Sequence, residues 1–203
     1  MRAVALASGV LFACACWAQA GDEQTIDFAG ETYHLAYQDE AQRENATITE
    51  ALAELTLQGQ TVNDWTKLFA FHAYPTAGND PATATAMLGR VVKEGNKDAN
   101  FAITKVPDSD ESIIDFLTWA PGSDVMEFDV FKYAKDASGK GLVALQYAQH
   151  IKTKDMTVAD FRKVRERMVE KTVGTDISPA RDYFSDEGHI ESPGEDNAGK
   201  SDD

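Results

Sequence analysis

Two alternating apolar runs, held apart by a glycine-bearing loop, constrain this chain more than any other feature. Residues 125–133 and 142–151 flank Lys135-Asp136-Ala137-Ser138-Gly139-Lys140-Gly141. Successive side chains of a strand point to opposite faces, so a one-residue slip sends every apolar group to the wrong side. Pairing Tyr133 with Leu142 leaves residues 136–139 as the loop, with glycines where a positive φ is needed. It sets Phe128 opposite Tyr147 and Val130 opposite Leu145. One face then carries Met126, Phe128, Val130, Val143, Leu145, Tyr147 and Ile151. The other carries Glu127, Asp129, Phe131, Gln146 and His150.

Further strands are expected on either side. Residues 26–37 alternate around a tight turn at Ala29-Gly30, and residues 67–74 have the aromatic density of a strand. Residues 101–106 and 112–119 pair around the turn at 107–111. Residues 47–57 fit either a helix or a strand, and Thr61-Val62-Asn63-Asp64 reads as one capped helical turn. Asp80 and Pro81 open a helix over 81–93, with Ala84, Met87, Leu88, Val91 and Val92 as its apolar stripe and Gly95 as a left-handed stop. Thr157 and Asp160 cap a second helix, which buries Phe161, Val164, Met168 and Thr172 and ends at Gly174. Tight hairpins between neighbouring strands predict an α+β fold: a mainly antiparallel sheet with two amphipathic helices packed on one face and the other face open or half-open.

The ends of the chain read differently. Residues 1–20 hold Arg2, an apolar run too short to cross a bilayer, and the small-x-small triplet Ala18-Gln19-Ala20, the form of a signal peptide cleaved before Gly21. Lipid attachment at Cys14 is the alternative. Cys14 and Cys16 both lie in this segment, so the cleaved chain has no thiol for catalysis, disulfides or metal ligation. A single domain is expected over 21–180, followed by a disordered acidic tail over 181–203. From Ser185 onward the sequence has seven acids and one aliphatic residue, too little to offset the cost of ordering it. With 19 basic and 34 acidic residues the formal charge is −15, which disfavours nucleic acid and anionic lipid surfaces. No transmembrane segment is expected, and the location is periplasmic or secreted.

Candidate chemistry is sparse. No nucleophile elbow, phosphate-binding loop, calcium loop or paired-histidine metal motif is present, so no catalytic residue, metal ligand or cofactor is assigned. His72, Tyr74, Glu127, Asp129, Gln146 and His150 can share the polar face of the sheet, as a ligand-binding patch or as the acid–base groups of a hydrolase. On an open face these side chains are expected to stay separate and solvated. The final helix concentrates Arg162, Lys163, Arg165 and Arg167, a possible docking surface for a partner.

Residues 59–68, GQTVNDWTKL, and residues 127–133 with the glycine-rich turn and 143–148 resemble segments of small exported proteobacterial proteins of unknown function. That resemblance spans roughly residues 25–175 and carries over no catalytic residue. The element order is similar, more loosely, to PsbP/Mog1-like α+β sandwiches, which implies a binding or assembly role. The leading expectation is a non-catalytic periplasmic or secreted module for an unknown envelope protein or small ligand. A metal-dependent or His–carboxylate hydrolase, and an adaptor docking through the basic helix, are the alternatives. Intact-mass analysis of the exported protein should give an N-terminus at Gly21 without lipid; a diacylglyceryl adduct on Cys14 would reverse this.

Overall fold

A computed structural model describes residues 24–44 and 47–185. The leader over 1–20, Cys14, His189 and the tail beyond Ser185 lie outside the described residues. Strands β1 (Thr25–Phe28), β2 (Glu31–Glu44), β3 (Thr47–Leu57) and β4 (Lys67–Tyr74) form one antiparallel meander. Strands β5 (Asn100–Lys105), β6 (Ser112–Trp119), β7 (Val125–Lys135) and β8 (Leu142–Lys152) form a second. Pairing of β4 with β8 fuses them into one eight-stranded sheet in the order β1-β2-β3-β4-β8-β7-β6-β5. Helix α1 (Pro81–Gly95) links β4 to the far edge strand, and α2 (Val158–Gly174) and α3 (Ser178–Ser185) follow β8.

The expectation of α+β with a mainly antiparallel sheet holds, but the helices do not share a face. Met168 of α2 and Ile177, Ala180 and Phe184 around α3 pack with Phe69, Phe71, Phe128, Val130, Leu145 and Tyr147. Val92, Ala84 and Leu88 of α1 pack with Ile114, Phe116, Phe131 and Tyr133, which point the other way from the same strands. The reason is in β7 and β8: Phe131 and Tyr133 are as apolar as Val130 and Ala134, and both sets are buried. A strand apolar on both sides needs cover on both sides.

The long hairpin of β7 and β8 keeps the expected faces with a different register. Leu142 pairs with Lys135, not Tyr133, and Phe128 lies opposite Gln149, not Tyr147. A shift of two residues preserves which side chain points where. The loop is correspondingly longer, because the Asp136 carboxylate accepts from Ser138 Oγ and from the amides of Lys140 and Gly141 and makes 136–141 a self-contained turn. Gly139 takes a positive φ of 70°. Gly141 serves closeness instead: a Cβ there would lie 2.7 Å from Cα of Pro75.

Other local expectations divide. Ala29 and Gly30 both have positive φ and close the tight β1–β2 turn as expected. Residues 47–57 are strand. Thr61–Asp64 is a bridged turn rather than a helical one, although Thr61 Oγ1 still accepts from the Asp64 amide. Asp80 caps α1 by accepting from the Ala82 amide, and Thr157 caps α2 by accepting from the Asp160 amide. Helix α1 runs through Gly95 and stops at Asn96, whose backbone is extended. Its buried face is Pro81, Thr85, Gly89 and Val92, so the expected stripe is rotated and Met87 is 55% exposed. Small residues face inward because α1 lies close to β5: a Cβ on Gly89 would come within 2.8 Å of the Phe101 ring.

Two buried charges fasten α2 to the sheet. Arg165 grips Asp115 of β6 through two hydrogen bonds of 2.5 and 2.8 Å. Lys132 of β7 donates to the carbonyls of Val173 and Thr175 at the helix end and pairs with Glu111 at 2.9 Å, where a cation also suits the helix dipole. The folded unit extends past the expected boundary at 180, since α3 reaches Ser185 and Phe184 is buried. Met168→Ala should cost about 2–5 kcal/mol, whereas Met87→Ala should stay within about 0.5 kcal/mol. Urea titration of the two variants checks both; equal losses would refute the facing of α1.

Candidate functional site

All six polar residues singled out in the sequence meet on the face of the sheet that also carries α1. Tyr74 lies beside Tyr133 with ring centroids 6.0 Å apart, and Glu50 of β3 is near its phenol. Glu50 Oε1 lies 3.4 Å from His72 Nδ1, and His72 Nε2 lies 2.9 Å from Gln146 Oε1. Gln146 Nε2 donates to Asp129 Oδ1 at 2.7 Å, and Glu127 is the neighbouring acid on the same face of β7. Glu127 Oε2 lies 3.2 Å from His150 Nε2, and His150 Nδ1 lies 2.9 Å from the carbonyl of Trp65. The result is a polar chain crossing β3, β4, β8 and β7, hydrogen-bonded in two segments that adjoin where Asp129 and Glu127 share a face of β7.

Strand geometry explains why these groups meet. Glu127 stands directly opposite His150, while Asp129 and Gln146 are diagonal neighbours across the same pair of strands. His72 reaches Gln146 across the β4–β8 seam, where Ala70 is the residue opposite Gln146. Aromatic rings wall the chain at both ends: Trp65 stacks on His150 at 3.7 Å, and Tyr74 and Phe131 flank His72 at 5.7 and 5.5 Å.

The expected separation of these side chains is therefore corrected. The His150–Glu127 contact is within hydrogen-bond range, and Glu127, Asp129, His72 and Gln146 are all buried. An open, solvated face was the wrong premise. Leu68, Ala70 and Ala148 on this same side are buried too. Glu50 and the Trp65 carbonyl are members of the chain that sequence reasoning missed. Glu50 had a usable signal, since it precedes Leu52 and Glu54 at strand spacing. Trp65 had none, because a backbone carbonyl has no residue type.

Asp129 is the electrostatic centre of the chain. Burial pushes its carboxyl well above the usual carboxylate range, and the adjacent Glu127 pushes the same way, against the hydrogen bond from Gln146. The second oxygen of Asp129, Oδ2, is buried with no hydrogen-bond partner among the described residues, which disfavours the charged form in the same sense. Burial likewise raises the phenol of Tyr74, reinforced by Tyr133 and Glu50.

A different feature lies on the opposite face at the free edge of the sheet. A groove of about 450 Å3 runs between β5, β6 and the first turns of α2. Ala102, Leu117 and Met126 line it from the sheet, Val158 and Phe161 from the helix, and Arg162 contributes an exposed guanidinium. The Asp115–Arg165 pair borders it, so Arg165, counted above among docking residues, is held by the fold.

With this geometry in view, the comparisons bear on kinship. A model of an uncharacterised proteobacterial protein family matches residues 21–177. The chain belongs to that family. The matched span holds all eight strands, α1, α2, the polar chain and the groove. No curated protein and no solved structure matches.

A group whose folded pKa is raised gives stability that is complete below its unfolded pKa and is lost as pH rises through the folded value. For Asp129 that loss begins above about pH 4. Asp129→Asn keeps the acceptor to Gln146 and removes the titrating proton. It should melt higher than wild type at pH 7, with the gap closing towards pH 4 in thermal scans; a lower melting temperature at pH 7 would contradict a protonated Asp129. Gln146→Leu, which strands both neighbours, should cost about 1–3 kcal/mol.

Proposed function

We propose that the protein is a non-catalytic binding or accessory module of the bacterial envelope, working from the periplasm or in secreted form. One observation carries this reading: both ring nitrogens of both histidines in the polar chain already have protein partners. A general base needs a nitrogen within reach of the substrate proton, and a metal ligand needs a nitrogen lone pair. His72 and His150 could supply neither without breaking a buried contact. The chain is best understood as a polar weld between strands, with hydrogen bonds that fix which strands neighbour one another.

Export is supported by the start of the family match at residue 21, directly after the small-x-small triplet. Binding is supported by the groove beside β5, whose volume falls in the range of about 300–1,000 Å3 usual for ligand sites. The PsbP/Mog1-like analogy, at the level of an antiparallel sheet with helices, agrees with such a role and adds no residue to it. Docking through the basic helix becomes a narrower form of the same idea, resting on Arg162, Lys163 and Arg167. Two readouts test the non-catalytic reading on the chain from Gly21 onward. Dialysed protein should retain no stoichiometric zinc, and nitrophenyl esters and phosphates should show no turnover above the buffer rate. Turnover that disappears in His150→Ala, with the fold retained by circular dichroism, would sink this reading and install the hydrolase.

A further inference from the structure

The groove lies beside an edge strand, and the two together describe a receptor for extended chain. Strand β5 is last in the sheet order, so one row of its N–H and C=O groups has no strand partner among the described residues. Proteins usually blunt such an edge with proline, a bulge, an inward-pointing charge or very short length. From Asn100 to Thr104, β5 has no proline and no charge, and its pairing with β6 is regular throughout. Its one charge is Lys105, at the end. The opposite edge strand, β1, has only four residues.

Both faces of this edge offer apolar seats. Phe101 and Ile103 point to the α1 side and remain 38% and 42% exposed. Ala102 points to the α2 side, where Leu117, Met126, Val158 and Phe161 line the groove with it. Side chains of an added strand alternate at the spacing these two sets provide.

Charge selects the occupant. Arg165 is neutralised by Asp115, whereas Arg162 one turn earlier is exposed and has no ion-pair partner among the described residues. In a chain of net charge −15, a groove bearing an unneutralised arginine suits an acidic side chain. A second copy paired edge to edge is the poorer occupant, because it would bring two chains of that charge together and set both Arg162-bearing walls over one seam.

We propose that β5 receives an extended acidic peptide as a ninth strand of the sheet, with alternate apolar side chains in the groove and a carboxylate on Arg162. This names the partner class for the binding-module reading and rests on it. Main-chain hydrogen bonds would supply affinity, and the groove and Arg162 would supply selectivity.

The test uses the whole chain from Gly21 onward and labelled octapeptides of alternating valine and serine, with one glutamate at each position in turn. At least one should bind in fluorescence anisotropy with Kd below about 1 mM. N-methylation of alternate peptide nitrogens on the strand-facing side should weaken that peptide at least about tenfold, the loss expected when main-chain bonds are removed. Arg162→Glu should weaken it by about tenfold or more and leave the glutamine counterpart unchanged. Amides of β5 should gain protection from hydrogen exchange on binding.

Three results would overturn the proposal: no octapeptide binding, equal binding of the N-methylated peptide, or a protein that sediments as a dimer with β5 amides already protected. None of these touches the zinc and turnover readouts, so the non-catalytic reading stands or falls separately. Turnover lost in His150→Ala would in turn leave peptide binding at β5 as a fact of its own.

Discussion

The pairing of β4 with β8 is the contact on which the rest of the molecule depends. Each four-stranded meander is built from neighbours in sequence, and each could close its hairpins alone. Neither could bury its inner strand alone. The eight residue pairs from Lys67↔Gln149 to Tyr74↔Leu142 bring together positions 68 to 82 residues apart and turn two ribbons into one sheet. That closure is entropically expensive, and burying Phe69, Phe71, Leu145 and Tyr147 on one side and Ala70, Ala144 and Ala148 on the other offsets it. The helices follow. Helix α1 has to travel from the centre of the sheet to its far edge, and the α2–α3 pair covers the side that α1 leaves bare.

The polar chain sits across this same seam. A buried histidine, glutamine and two acids are costly in an apolar layer unless each finds a partner. Here the partners come from four strands, so these groups find one another only when β3, β4, β8 and β7 lie side by side in one register. A slip of one residue would leave Asp129 and His72 facing apolar neighbours, a penalty that purely apolar strands would not impose. Asp129 shows the compromise involved, since burial and the second acid beside it both push its carboxyl well above the usual carboxylate range. The groups with acid–base potential lie along the seam, while the apolar groove lies beside the edge strand β5.

Much of the fold was legible in local sequence. The caps at Asp80 and Thr157, the Ala29-Gly30 turn and the facing of residues on β7 and β8 all follow from short-range chemistry. The facing survived even an error of two in register, because parity decides facing and loop length decides register. The rotated stripe of α1 was not legible. Periodicity favours large apolar residues such as Met87, but proximity to β5 selected Thr85 and Gly89 for the inside.

Sequence by itself determined most of the strands, helices α1 and α2, the antiparallel character and the list of polar residues able to share a face, while it left residues 47–57 open and gave no sign of α3. Tertiary structure alone decided that these residues touch. His72 reaches Gln146, and the polar positions between 72 and 150 gather on one covered face, only after β4 docks on β8, a pairing that no local pattern announces. It decided as well that the sheet is covered on both sides, which turned a patch expected in water into a buried network. The physical reason is common to both. Alternation tells a strand which residues lie together on a face, but what covers that face depends on elements far away in the chain, and burial changes the chemistry of every group it reaches.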